Sequence, residues 1–200
     1  MTWIKTIAYE NAGPKLRKLY NRVKDADNQV DRILMSHSLR PGSLQGHMTL
    51  YKNVLHHSEC ELPHWFREAL GVYTSLLNAC AYCVEHHYVG MKNLMDNPEP
   101  APAIREALEQ REPEKVFEGG QLGLMRYAHD LTTNPSSLTE ARIVELRELG
   151  VSDACILEAN QIVAYFCYAN RTVLGLGVNH VGETLGMSPS SSESDDWSHK

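Results

Sequence analysis

Two thiols and one imidazole, Cys80, Cys83 and His87, stand close together in this chain. Spacings of three and four residues put all three on one face of a helix. Asn78 is a favourable N-cap, which places both thiols in the first turn of that helix. There the unpaired backbone N–H groups and the helix dipole favour a thiolate. A thiolate is the species that attacks a peroxide oxygen or a disulfide; His87 can relay a proton or, when charged, stabilise the anion. The dipole taken alone makes Cys80, nearer the helix start, the more acidic thiol.

Glu68 enters through geometry. It precedes Cys80 by twelve residues, and in an unbroken helix that separation is about 18 Å along the axis. Its carboxylate reaches the imidazole only if the chain turns near Leu77–Asn78 and two successive helices fold back on one another. Glu68 and His87 would then form an acid–base pair.

The elements that must achieve this are helical throughout. Apolar spacing, prolines and caps predict helices from Pro14 to about Asp25, Asp31 to Leu39, Ser43 to Leu55, His64 to Leu77 and Ala79 to about Met95. Further helices follow from Ile104 to Glu109, Leu122 to Thr132, Thr139 to Gly150, and from Ser152 or Asp153 to about Leu174. Pro41-Gly42, Asp96 to Pro100 and Asn134 to Ser137 are breaks. No segment alternates as a strand does. One domain over 1–187 is expected, with the Ser/Asp-rich 188–200 as a disordered tail.

Composition narrows the function classes. A net charge of -6 argues against nucleic acid as a main partner. No run approaches the roughly 20 apolar residues of a membrane span; Ile162 to Val173, interrupted by Asn170 and Arg171, reads as a buried helix. Five cysteines, an odd number without an export signal, argue against a disulfide framework and for a reducing, cytoplasmic setting.

Glu68 followed by Cys80-x-x-Cys83-x-x-x-His87, within Ser75-x-x-Asn78-x-Cys80-x-Tyr82-Cys83, resembles the AhpD-like alkylhydroperoxidases of the carboxymuconolactone decarboxylase superfamily. The resemblance covers about residues 61–92. A looser one extends to Tyr165-Phe166-x-Tyr168-x-Asn170-Arg171 and Leu176-Gly177-Val178, similar to the peroxidase-related subgroup. It implies an all-α, AhpD-like helical bundle with the Cys-x-x-Cys at the N-terminus of a helix in a two-helix hairpin. It also implies that Cys83 is peroxidatic, that Cys80 resolves it, and that Glu68 and His87 move the proton. No metal or flavin cofactor is implied. The reductant would be a lipoyl-bearing protein or another dithiol carrier, and the assembly a homo-oligomer, trimeric or hexameric. Gly71-Val72-Tyr73 departs from the small, aliphatic run usual after the glutamate.

Other readings of the same residues stand beside this one. A structural zinc site could use Cys80, Cys83 and His87, completed by His86 or by the His56-His57-x-x-Cys60 stretch, but three ligands on one helix make a poor tetrahedral cage. A thiol–disulfide oxidoreductase would use the same cysteines; a decarboxylase or lactone-processing enzyme would not need them; a vestigial scaffold would use none. His56, His57 and His64 read as loop or helix-start residues, some at the mouth of a pocket, and His86 as an imidazole facing solvent. Cys60, Cys155 and Cys167 read as inert, Tyr165, Phe166 and Tyr168 as core or subunit contacts, and Arg171 equally as a buried anchor or a surface residue.

Overall fold

The structure, a computed structural model, describes residues 2–25 and 28–187; the tail predicted to be disordered lies outside them. Among the described residues there are nine α-helices, three short 3-10 turns and no strand. The helices are α1 (Pro14–Val23), α2 (Arg32–Ser36), α3 (Pro41–Leu55), α4 (His64–Leu77), α5 (Ala81–Asn93), α6 (Ala101–Glu109), α7 (Gly119–Thr133), α8 (Glu140–Glu148) and α9 (Asp153–Leu176). None is long and apolar enough to cross a membrane. Ile162 and Val173 are core residues of α9.

Several boundaries differ from expectation for local reasons. Pro41 opens α3 rather than separating it from what precedes, because a proline at the first helical position gives up an N–H that has no partner there. Residue Ser152 caps α9 as expected, its side chain accepting from the Cys155 amide.

The turn between α4 and α5 carries the main correction. Asn78 is not the N-cap of the cysteine helix but the C-cap of α4. The Ala79 amide reaches Leu76 O at 3.0 Å and the Cys80 amide reaches Ser75 O at 2.9 Å. This pair of bonds closes a helix in the Schellman manner and requires a left-handed residue at Ala79, where φ is 56°. An alanine there costs about 1 kcal/mol relative to ordinary backbone. Cys80 then becomes the N-cap of α5.

α4 and α5 form an antiparallel hairpin, and α7 and α9 pack against α4. Every residue of α4 from Phe66 to Ser75 is buried, as befits a helix surrounded by others. Glu68 lies nine residues before the end of α4 and His87 six after the start of α5. At 1.5 Å per residue these are roughly 14 and 9 Å from the turn, so the antiparallel hairpin brings them nearly level.

Gly71 makes the third contact possible. A Cβ built there would sit 2.2 Å from Phe166 Cζ. The Phe166 ring, fully buried on α9, therefore occupies the space beside α4 and meets His87 edge-on, ring centroids 4.5 Å apart. The departure from the usual small, aliphatic run is thus the seat of an aromatic that packs on the imidazole.

Gly71→Ala should destabilise the chain by about 1–3 kcal/mol through overpacking. Gly90→Ala, whose Cβ would meet Glu68 only at 3.5 Å, should leave stability unchanged or slightly higher. Urea midpoints of the two variants check this pair of outcomes.

Candidate active site

The hairpin brings together all four of the residues singled out in sequence. Cys80 and Cys83 are 0% and 2% exposed, and their sulfurs lie 3.0 Å apart as free thiols. Glu68, 1% exposed, holds His87 Nδ1 at 2.6 Å through Oε2. That bond fixes the imidazole tautomer and leaves Nε2 for the substrate side.

The two thiols are not equivalent. A hydrogen bond from Cys83, together with the Cys83 backbone amide, holds the Cys80 thiol below the ordinary thiol range. The same contact with Cys80, and then burial, push the Cys83 thiol well above it. Of the two, Cys80, at the helix N-cap, is therefore the more acidic thiol and Cys83 the less acidic. The order is the one the helix dipole suggested, but its first cause is the contact with Cys83. Access runs the other way: Cys83, and not Cys80, lines a cavity of about 50 Å³ with Glu68, His87, Tyr51 and Tyr165. Burial drives both phenols well above their ordinary value, so they stay neutral.

Asn170 stood in the sequence as a polar interruption of an apolar helix and as part of the looser resemblance, without a role at the thiols. It is fully buried, accepts from Asn78 Nδ2 at 3.0 Å and donates to Ser75 Oγ at 3.1 Å. It ties α9 to the turn and faces both sulfurs, favouring the thiolate of each.

Other residues join the site whose roles in it the sequence did not assign. His56 caps the end of α3, is 3% exposed, and brings Nε2 to 3.7 Å from Glu68 Oε1. His64, the first residue of α4, brings Nε2 to 2.7 Å from His56 Nδ1. His57 pairs instead with Glu59. His86 does not face solvent: it stacks on Tyr82 with centroids 4.5 Å apart and lies 3.9 Å from Glu183, in the cavity wall. Across the cavity Asp31 is held up at about 6 by burial, offset in part by His86. His47 is pushed down to about 3, chiefly by burial, and is a neutral wall residue.

The remaining candidates fall away from the chemistry. Arg171 is exposed and turns back to Cys167 O at 2.8 Å. Cys60 and Cys155 are partly buried thiols raised first of all by burial. Tyr165 and Phe166 are core residues, whereas Tyr168 is 42% exposed.

No protein-family model matches the chain, and no curated protein matches it. Solved structures do. An alkylhydroperoxidase AhpD core, an uncharacterized peroxidase-related protein from Ralstonia eutropha JMP134, matches with a TM-score of 0.77 at 20% identity, over 89% of this chain and 91% of that one. An uncharacterized peroxidase-related protein from Silicibacter sp. TM1040 gives 0.75 at 19% identity, over 91% and 95%. The chain has the AhpD-like fold. The debrominase Bmp8 is also similar, with a TM-score of 0.63 at 16% identity over 81% of this chain and 83% of that one. An AhpD-like fold thus does not by itself name the reaction, and the residues must.

In a chain whose Cys60, Cys155 and Cys167 are replaced by serine, thiolate absorbance should titrate in two separate steps. One falls below the ordinary thiol range and one well above it, and Cys83→Ala moves the first upward.

Asp31 gives a second pH signature. Its folded value, about 6, lies above the ordinary 3.8. The stability contributed by the protonated carboxyl is therefore full below the ordinary value and lost as pH rises through about 6. Asp31→Asn should match the parent chain in acid and exceed it above neutrality by up to about 3 kcal/mol, as read from denaturation midpoints across pH.

Proposed function

We propose that the chain is a thiol peroxidase that reduces hydroperoxides with Cys83 and regenerates through a Cys80–Cys83 disulfide. The observation that carries this reading is the position of Cys83. Cys83 is the cysteine that lines the cavity, His87 and Glu68 line it too, and the second sulfur lies 3.0 Å from that of Cys83.

The steps follow from that geometry. The Glu68–His87 pair accepts the Cys83 proton as the thiolate attacks the terminal peroxide oxygen. The O–O bond breaks, Cys83 becomes a sulfenic acid, and the departing alkoxide recovers the proton from His87 as an alcohol. The Cys80 thiolate then attacks the Cys83 sulfur, the S–O bond breaks, and a disulfide forms with loss of hydroxide, which is protonated to water. A dithiol carrier, lipoyl-bearing or other, returns two electrons by exchange. The neutral walls of Tyr51 and Tyr165 suit an uncharged hydroperoxide.

The same cysteines could exchange with a protein disulfide, but both sulfurs are 2% exposed or less. Burial therefore favours the small oxidant.

One equivalent of an alkyl hydroperoxide should give an intramolecular Cys80–Cys83 disulfide by mass spectrometry. Cys80→Ser should stop at the sulfenic acid, and Glu68→Gln should slow oxidation by roughly 10²–10⁴-fold. Peroxide consumption by Cys83→Ser at the parental rate, or a zinc ion retained with both thiols protected, would refute the assignment.

A further inference from the structure

We propose that His64 and His56 extend the Glu68–His87 pair into a proton path from solvent to the peroxide cavity. This inference rests on the thiol-peroxidase reading above.

The path has two hydrogen-bonded links and one short gap between them. His64 stands half-buried at the start of α4 and meets His56 Nδ1 at 2.7 Å through Nε2. His56 Nε2 lies 3.7 Å from Glu68 Oε1, about half an ångström beyond hydrogen-bond reach. Glu68 Oε2 is 2.6 Å from His87 Nδ1. Both histidine links use opposite nitrogens of one ring, so a proton accepted on one side leaves from the other. Arg67 fixes the segment: its guanidinium donates to Leu55 O and to His57 O, bracketing His56 against α4. The Tyr51 ring covers His56 at 4.7 Å. Burial first, then the Arg67 charge, keeps the His64 imidazole neutral, and a neutral ring passes protons rather than storing them.

The chemistry calls for such a path. Cys83 must lose its proton to attack, the alkoxide must gain one to leave as an alcohol, and the hydroxide displaced by the Cys80 sulfur must gain one to leave as water. Reduction of the disulfide by a dithiol carrier returns protons to the pair. All of these transfers take place at sulfurs that are 2% exposed or less.

The same three residues, His56, His64 and Glu68, have ligand atoms within 4.8 Å of one another, and a divalent metal is the rival occupant. The 2.7 Å between two imidazole nitrogens favours the hydrogen bond. Two nitrogens on one tetrahedral zinc, each at about 2.05 Å, lie roughly 3.3 Å apart.

The test follows a single turnover of the full chain with tert-butyl hydroperoxide in weak buffer, trapping sulfenic acid with dimedone and scoring disulfide by mass spectrometry. In His64→Ala, disulfide formation should slow roughly tenfold, dimedone adduct should accumulate on Cys83, and added imidazole should restore the rate. His56→Phe, which keeps a ring under Tyr51, should show the same loss without rescue, because its site is closed to solutes. Disulfide formation at the parental rate in His64→Ala, or a loss that imidazole does not reverse, overturns the path. So does one equivalent of zinc that the parent chain retains through gel filtration and His64→Ala does not. If the parent chain forms no disulfide, or Cys83→Ser consumes hydroperoxide as fast as the parent, the peroxidase reading falls first and the path falls with it.

Discussion

A carboxylate removed from water must be matched, and in this chain Glu68 sets the terms for its surroundings. At 1% exposure an unpaired charge would cost several kcal/mol. His87 meets one oxygen at 2.6 Å and His56 approaches the other at 3.7 Å. To supply those partners, α5 must run antiparallel to α4, α3 must end beside α4, and Phe166 must back the His87 ring. The bundle places elements from four separate stretches of chain around one side chain, which accounts for the close seat that Gly71 leaves for Phe166.

The turn completes the same arrangement. Left-handed Ala79 lets α4 end on Asn78 and α5 begin on Cys80 within three residues. A longer loop would leave the thiols free of the helix terminus and weaken the thiolate preference at Cys80. Asn170 then binds the turn from α9 through Asn78 and Ser75. Strain of about 1 kcal/mol at one alanine is offset by a network of buried hydrogen bonds, each worth about as much.

What could be read from the sequence was local. The helical class and most breaks follow from periodicity and spacing, because each depends on residues within a few turns of one another, whereas Glu68 joined Cys80, Cys83 and His87 through the resemblance of the pattern. Asn78 misled because an asparagine suits either end of a helix, and only the bonds from Ala79 and Cys80 back to α4 decide which. His56, His64 and Asn170 were missed for a different reason. Each reaches the site through a tertiary contact, and nothing in its own neighbourhood distinguishes a loop histidine from one pressed against a buried acid. Asn170 alone left a trace, as a polar residue where α9 should have been apolar. His86 was misplaced because the segment that buries it, around Glu183, follows α9 and carries no periodic signal.

The walls of the cavity are not all fastened alike. Displacing α4, α5 or α9 would break the core and uncover Glu68. The segment after α9, which contributes Met187 to the cavity, is fastened differently. Arg32 holds it through Asn179 O, Asn179 Oδ1 and Val181 O at 2.6 to 2.8 Å, and the Arg32 amide through Glu183 Oε1 at 2.6 Å. Bonds at this half-buried arginine are worth about 1 kcal/mol each, far below the cost of parting packed helices. The cavity is thus bounded by one wall held through an arginine's hydrogen bonds and by a helical hairpin locked into the core.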